Sequence, residues 1–219
     1  MKKLDFKGAI FDLDGTLLDS MRVWVEVDNE FLSRRGIEPI QDYVDAIAPM
    51  GFRRAAEYTI ERFNFKETPE EIMEEWYSLA ESEYSEEVRL KPNVKAYLKF
   101  LKQKNIPMAV ATASEERLFM PSLKNNGIYE YFESFTTVNE VKRGKGFPDI
   151  YIKAAEKLGL EPSECVVFED ILAGVKGARA GGFKVVGIYD NVSKHEHDEM
   201  KMLADICIHD FGELLEEGD

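Results

Sequence analysis

Residues 8–16 read Gly8-Ala9-Ile10-Phe11-Asp12-Leu13-Asp14-Gly15-Thr16, a short apolar run that passes directly into a pair of acids. Five more β-rich runs follow along the chain, at 108–111, 134–138, 166–168, 184–188 and 205–208. These runs are nearly continuous in apolar residues instead of alternating, which is typical of parallel strands covered by helices on both faces. The opening stretch is therefore predicted to be the first strand of a buried parallel sheet.

Helical patterns separate the later runs. Pro148 can occupy the first helical position of a segment over 149–158 that Gly159 ends, and a second segment over 172–180 ends at Gly181-Gly182. Strands and helices that alternate in this way indicate an α/β fold with a doubly wound parallel sheet.

The interval between the first two runs departs from this alternation. About 95 residues lie there, and their apolar residues recur at helical spacing. Thr68-Pro69-Glu70-Glu71 combines the N-cap threonine, the first-turn proline and the capping-box glutamate of a helix start. We therefore expect residues 17–88 to form an inserted all-helical cap domain, and residues 1–16 and 89–219 to form the core domain.

The composition restricts the class of function. The 219 residues include 28 Lys and Arg against 42 Asp and Glu, a net charge of −14, so the chain lacks the basic surface that binds nucleic acid or an anionic membrane. No run approaches the roughly 20 apolar residues that a membrane-spanning helix needs. The first residues lack the apolar segment of a signal peptide, and the two cysteines lie in apolar runs. We expect a cytoplasmic, monomeric protein with reduced thiols.

Asp12 and Asp14 follow the first strand directly, where ligands bind in open α/β sheets. Residues i and i+2 of an extended chain point to the same side, roughly 7 Å apart. Two carboxylates held on one side repel each other unless a proton or a cation lies between them. Mg²⁺ is a natural partner, because it binds through one or two carboxylates, water and substrate phosphate. Gly15 would allow the sharp turn that follows.

Three more strand ends carry polar groups. Thr112 and Ala113 end the second run with a hydroxyl and free backbone N–H groups, which suit a phosphate oxygen. Lys145 lies in a glycine-flanked loop before a predicted helix, and it can reach into a cleft as a point charge. Glu169 and Asp170 follow the fourth run, where adjacent acids need a metal or a basic partner. The four ends together predict a phosphate site with a divalent cation.

On these residues the chain resembles the haloacid dehalogenase superfamily, and within it the phosphoglycolate phosphatase and β-phosphoglucomutase-like branch. The resemblance covers essentially the whole chain. It is carried by the blocks Phe11-Asp12-Leu13-Asp14-Gly15-Thr16-Leu17-Leu18-Asp19-Ser20, Thr112, Lys145 with Pro148-Asp149, and Val167-Phe168-Glu169-Asp170 followed by Ala173-Gly174.

The resemblance implies a role for each of these residues. Asp12 is the expected nucleophile and Asp14 the general acid and base. Thr112, Ala113 and Lys145 are expected to hold the transferring phosphoryl group. The implied Mg²⁺ ligands are Asp12, the backbone carbonyl of Asp14, and Asp170, with Glu169 as a further ligand or as support for one. The implied activity is Mg²⁺-dependent hydrolysis of a small phosphorylated metabolite, of the sugar or polyol phosphate type.

Departures from the family pattern bear on the alternatives. Gly146 stands where proline is common, which should loosen the lysine loop, and Ile171 stands where serine is frequent. Glu115 should repel a second phosphate, so a phosphomutase of the β-phosphoglucomutase type ranks below a phosphatase. A dehalogenase would not need the general acid Asp14. A non-catalytic binding module is disfavoured because the acids, the hydroxyl and the lysine are all present.

Arg53 and Arg54, which follow Met50-Gly51-Phe52 in the expected cap, are candidates for contact with the leaving group. Solvated side chains at the start of a helix are an equally good interpretation of this pair.

Overall fold

The computed structural model describes residues 4–38 and 40–215. Residues 1–3 lie outside this range. They are part of the first segment, for which the sequence predicted no signal peptide. Six strands form one sheet: β1 (Gly8–Phe11), β2 (Met108–Thr112), β3 (Ser134–Thr137), β4 (Cys165–Glu169), β5 (Lys184–Ile188) and β6 (Ile206–Ile208). All pairings are parallel, in the order β3-β2-β1-β4-β5-β6. The predicted parallel sheet is confirmed.

Nine α-helices lie among the described residues, together with five short 3₁₀ helices. The α-helices are α1 (Met21–Ser33), α2 (Gln41–Ile47), α3 (Phe52–Phe63), α4 (Pro69–Glu86), α5 (Val94–Gln103), α6 (Glu116–Asn125), α7 (Asp149–Lys157), α8 (Leu172–Ala180) and α9 (His197–Leu203). The 3₁₀ helices are Tyr129–Tyr131, Val138–Glu140, Pro162–Glu164, Lys194–Glu196 and Phe211–Leu214. The sequence predicted Pro148 as the first helical residue of α7. In the structure Pro148 is instead the N-cap, one position earlier in the helix.

The sheet is buried on both faces, which explains its continuous apolar runs. Every residue of β1, β2 and β4 is buried. Because side chains alternate along a strand, Ile10 packs in the cluster under α7 and α8, while Phe11 packs in the cluster on the opposite face. There the ring of Phe11 stacks on Phe168 of β4, with centroids 4.4 Å apart.

The strand order determines the position of the functional site. Phe11 is in register with Val110 of β2 on one side and with Phe168 of β4 on the other. The chain moves outward from β1 in both directions, first to β2 and β3, then to β4, β5 and β6. The residues that follow β1, β2 and β4 therefore meet at one edge, at the point where the strand order reverses.

Helices α1 to α4 lie in the chain between β1 and α5, where a helical insert was expected. Helix α4 packs against α1 and α3 and also against α6. Its start is capped as the sequence predicted: Thr68 N–H donates to Glu71 (2.7 Å), and Glu71 N–H donates to the Thr68 hydroxyl (3.3 Å). The division into a cap at 17–88 and a core stays a prediction, because residues of both parts share one hydrophobic cluster.

The helix lengths and the two cysteines bear on the expectations about membranes and thiols. Within 4–38 and 40–215, none of the helices combines the length and the apolar character needed to cross a bilayer. Cys165 and Cys207 are both free thiols, and burial raises the pKa of the Cys165 thiol to about 11.

Candidate active site

Three carboxylates meet at the carboxyl ends of β1 and β4. Asp12 follows β1, Glu169 is the last residue of β4, and Asp170 comes directly after it. All three side chains are buried. One oxygen from each lies within 4.8 Å of the others. Glu169 Oε2 and Asp170 Oδ2 are buried without a hydrogen-bond partner among the described residues. Three buried carboxylates this close together, two of them with an unpartnered oxygen, are suited to a hard cation such as Mg²⁺.

Lys145 lies against this acid cluster. Its ammonium group forms ion pairs with Asp12 and with Glu169 Oε1, the second at 2.7 Å. The loop between β3 and α7 carries Lys145, and the Lys145 backbone N–H donates to the carbonyl of Pro49 (3.1 Å). Tyr151 of α7 donates to the same Glu169 oxygen at 2.8 Å. Glu169 Oε1 is therefore held by two donors, which leaves Oε2 available for a cation.

The cluster contains more negative than positive charge. Burial raises the pKa of Asp12 to about 6, although Lys145 opposes the rise. Burial, Asp12 and Glu169 also raise the pKa of Asp170. Burial alone would lower the pKa of Lys145, but the charges of Asp12 and Glu169 raise it above its ordinary value. One ammonium group facing three buried carboxylates leaves a charge deficit that a divalent cation would offset.

Two glycines make room for these carboxylates. Gly15 has a φ of 73°, and a Cβ there would collide with the carboxyl group of Asp170. A Cβ on Gly174 would collide with the carboxyl group of Glu169. The single hydroxyl hydrogen of Thr16 is shared between Asp170 Oδ1 (3.1 Å) and Asp12 Oδ2 (3.3 Å). The residues around the acid pairs thus hold the carboxyl groups in one orientation.

Asp14 accepts three hydrogen bonds, all at Oδ1. The donors are Ser20 Oγ (2.6 Å), Trp24 Nε1 (2.9 Å) and Tyr84 Oη (2.8 Å). Burial and the charge of Asp12 raise the pKa of Asp14, while the three donors oppose the rise. Because Oδ1 is saturated by donors, a proton on Asp14 is held at Oδ2.

The donors to Asp14 come from different parts of the chain. Ser20 belongs to the conspicuous block after β1, whereas Trp24 lies on α1 and Tyr84 on α4. Trp24 is one of the apolar residues that recur at helical spacing between the first two strands, a pattern that indicates core positions. No sequence signal connects Tyr84 with an acid 70 positions earlier. Sequence reasoning missed both donors.

The end of β2 provides a neutral side of the site. Thr112 is buried, and its hydroxyl accepts from the Ser114 N–H (3.0 Å). Ala113 and Ser114 line the cavity over the acid cluster. The Ser114 side chain is buried close to Tyr84. This turn therefore brings backbone and the Ser114 side chain to the edge of the cavity, next to the acid cluster.

Arg53 and Arg54 are both exposed, and each has a partner. Arg53 forms an ion pair with Glu70 of α4 (2.7 Å), and Arg54 donates to the backbone carbonyl of Lys142 (3.3 Å). Neither arginine is among the described residues that line the cavity.

A cavity of about 130 Å³ lies between the acid cluster and helices α1 to α4. Asp12, Asp14, Ala113, Ser114, Lys145 and Asp170 line its floor. The side formed by the helices is almost wholly apolar and includes Val27, Val44, Ile47, Met50, Phe52 and Trp76. Asp28 is the single charged residue on that side within the described chain. An apolar chamber above a polar floor is typical of a ligand site.

Known proteins resemble this chain in sequence and in fold. The sequence model of the family described as haloacid dehalogenase-like hydrolase matches residues 9–188. The chain belongs to this family. The matched range runs from β1 through β5, so it contains α1 to α4 as well as every strand end described above. The family resemblance expected from the sequence is confirmed.

This haloacid dehalogenase-like hydrolase is similar to several named proteins. Hexitol phosphatase A of Escherichia coli is 32% identical over 184 residues, which are 83% of this chain and 82% of the relative. The phosphorylated carbohydrates phosphatase of Thermotoga maritima is 27% identical over 188 residues, which are 85% of this chain and 87% of the relative. CbbY of Rhodobacter sphaeroides, solved with phosphate, has a TM-score of 0.81 at 22% identity, with 95% and 96% of the two chains covered. That structural likeness shows the fold.

Proposed function

We propose that this chain is a Mg²⁺-dependent phosphatase that hydrolyses a small phosphorylated metabolite through an aspartyl phosphate on Asp12. The supporting observation is the buried Asp12 carboxylate, which touches Lys145 and shares a 4.8 Å cluster with Glu169 and Asp170. Relatives named as phosphatases of carbohydrate and hexitol phosphates support the reaction class. Sugar and polyol phosphates are therefore the first substrates to test.

The residues fit the cation that this proposal needs. Asp12, Asp170 and the backbone carbonyl of Asp14 would hold Mg²⁺, with Glu169 Oε2 as a further ligand or support. When bound, the cation supplies positive charge to the phosphoryl oxygens, which otherwise repel the Asp12 carboxylate. Lys145 adds a second positive charge at the same position.

The first half-reaction transfers the phosphoryl group to the protein. An oxygen of Asp12 attacks phosphorus, and the bond between phosphorus and the ester oxygen breaks. Asp14 donates the proton at its Oδ2 to the leaving alkoxide, while Ser20, Trp24 and Tyr84 hold its Oδ1. The raised pKa of Asp14 favours the protonated form that this step requires.

The second half-reaction releases phosphate. Asp14, now ionised, takes a proton from a water molecule at Oδ2, and that water attacks phosphorus and frees the Asp12 carboxylate. We propose that residues 17–88 act as a cap that closes over the substrate and excludes bulk water until this stage. Trp24 and Tyr84 are part of the proposed cap, so its closure also positions Asp14. The predicted monomeric state and cytoplasmic location remain parts of the proposal.

A panel of phosphate monoesters, assayed with Mg²⁺ and with EDTA, tests the proposal. We expect phosphate release that requires Mg²⁺, a phospho-enzyme that forms on Asp12, and loss of both in Asp12→Asn. Phospho-enzyme in Asp12→Asn at the same site would contradict the assignment. Conversion of β-glucose 1-phosphate to the 6-phosphate with a bisphosphate primer would instead support a mutase. Against a mutase, Lys145 is the only basic residue in the described cavity lining, so a second phosphate would lack a counter-charge there.

A further inference from the structure

Asp28 is an acid without a partner in an apolar wall. It lies on α1, is half-buried and lines the cavity. No hydrogen bond or ion pair to Asp28 exists within residues 4–38 and 40–215. Burial raises the pKa of Asp28 to about 7. An acid left unpaired in such surroundings is unfavourable for folding, which suggests that it serves a ligand.

We propose that Asp28 selects the substrate by binding a protonated amine at the far end of an otherwise apolar leaving group. This inference rests on the proposed phosphatase function, and it replaces the sugar or polyol leaving group considered there with an amine. Asp14 at the floor would serve the ester oxygen, and Asp28 would serve the opposite end of the same leaving group.

The wall chemistry favours a cation over a neutral polyol. The several hydroxyls of a polyol would face apolar side chains such as Val27, Val44 and Ile47 and would lose their hydrogen bonds to water. An ammonium group would instead meet the Asp28 carboxylate directly. Phe52 and Trp76 add aromatic rings to the same wall, and such rings attract cations.

The wall chemistry also disfavours a second anionic group on the substrate. Lys145 is the sole basic residue of the cavity lining, as far as the chain is described. Its ammonium group is already shared between Asp12 and Glu169. A carboxylate or second phosphate on the leaving group would face Asp28 without any compensating charge.

The helix geometry sets the length of the leaving group. Trp24, which donates to Asp14, precedes Asp28 by four residues on α1, so Asp28 lies about 6 Å further along the axis. An extended chain of about five bonds spans that distance. The cavity of about 130 Å³ is close to the roughly 150 Å³ apolar cavity that accommodates benzene. A leaving group of about five to seven non-hydrogen atoms therefore fits.

Three esters of equal length test the proposal: 5-aminopentyl, 5-hydroxypentyl and hexyl phosphate. With Mg²⁺ we expect kcat/KM to be about 10- to 100-fold higher for the amine than for the hexyl ester, because a hydrogen bond to a charged group is lost in the latter. Asp28→Asn should bring this ratio close to one. The ratio is taken within one variant, so a loss of folded protein cancels.

Glu26→Gln is the matched control. Glu26 lies on the same helix but is half exposed and pairs with Arg22 (2.9 Å), outside the cavity lining. This variant also removes one acid from α1, and it should preserve the preference for the amine. An equal loss of the preference in Glu26→Gln would show that the overall charge of the helix, and not Asp28, is responsible, and would overturn the proposal.

The remaining outcomes separate this inference from the proposed function. Asp12-dependent hydrolysis without a preference for the amine, or with a preference that persists in Asp28→Asn, overturns the inference and leaves the phosphatase standing. A preference for the hydroxyl ester overturns the choice of a cation. If no ester is hydrolysed, calorimetric binding of 5-aminopentylphosphonate against hexylphosphonate decides. Tighter binding of the amine that Asp28→Asn abolishes would support the inference although the phosphatase had failed; equal binding would overturn it.

Discussion

The unpaired carboxyl group of Asp28 has a consequence for stability that can be measured without a substrate. Asp28→Asn keeps the size of the side chain and removes its charge. Burial raises the pKa of Asp28 from an ordinary value of 3.8 to about 7. Between these values the folded protein holds a proton that the unfolded chain releases. The contribution of Asp28 to the free energy of unfolding therefore falls as the pH rises from about 4 to about 7. Above about pH 7 this contribution no longer changes.

The size of the effect follows from the same interval. The pKa of Asp28 rises from 3.8 to about 7, which is about three units. At about 1.4 kcal/mol per unit, ionised Asp28 lowers the free energy of unfolding by at most about 4 kcal/mol. Asp28 lines an open cavity and is only half-buried, so water reduces the penalty. We expect Asp28→Asn to unfold with a free energy about 1–3 kcal/mol higher than the parent at pH 8. At pH 4.5, which is only about 0.7 unit above the ordinary pKa of Asp28, the difference should shrink to about 1 kcal/mol or less.

Urea unfolding followed by circular dichroism at several pH values, in EDTA, measures this difference directly. The other acids of the cavity, Asp12, Asp14 and Asp170, and the neighbouring Tyr43 are common to both proteins, so their titration largely cancels in the comparison. Glu26→Gln should change the free energy of unfolding by only a few tenths of a kcal/mol at either pH. If the free energies of unfolding of the parent and Asp28→Asn differed by the same amount at pH 4.5 and at pH 8, the reasoning would be refuted. Asp28 would then be well solvated in the folded protein.

Three further substitutions test the site, and a fourth, Tyr43→Phe, is a control. Tyr84→Phe removes one of the three donors to Asp14 and should lower kcat by about tenfold or more in steady-state assays, since a hydrogen bond to a charged group is lost. Tyr43→Phe, which removes a buried tyrosine hydroxyl bonded to Thr59, should leave kcat unchanged. Lys145→Met leaves buried carboxylates without their cation, so the free energy of unfolding in EDTA should fall by about 3–5 kcal/mol, with partial recovery in Mg²⁺. Asp170→Asn should weaken Mg²⁺ binding by at least about tenfold in calorimetry; unchanged affinity would remove Asp170 from the proposed ligands.

The floor of the site could be predicted from the sequence because it depends on topology alone. Continuous apolar runs indicated parallel strands, and the ends of parallel strands meet at one edge of the sheet. Asp12, Lys145, Glu169 and Asp170 follow such ends, so their convergence required no knowledge of side-chain packing. The structure adds which oxygens remain without partners, namely Glu169 Oε2 and Asp170 Oδ2.

The cavity wall could not be predicted in the same way. Helical periodicity shows which face of a helix is buried, but not which side chain that face will meet. Trp24 therefore indicated only a core position. Arg53 and Arg54 fitted a contact with the leaving group and a solvated helix start equally well, and in the structure both are exposed with partners outside the cavity lining. Asp28 gave no signal, because an acid on a helix of a chain with net charge −14 normally belongs to a solvated surface.

The position of Trp24 and Asp28 on one helix links substrate recognition to proton transfer. A leaving group bound at Asp28 restrains α1, and one turn earlier the same helix presents Trp24 to Asp14. Binding energy at the far end of the substrate can thus be used to orient the general acid, which raises kcat as well as lowering KM. We therefore expect Asp28→Asn to lower kcat for the amine ester and not merely to raise KM. If Asp28→Asn raised KM with kcat unchanged, α1 would position the substrate and Asp14 independently, and the link would be wrong.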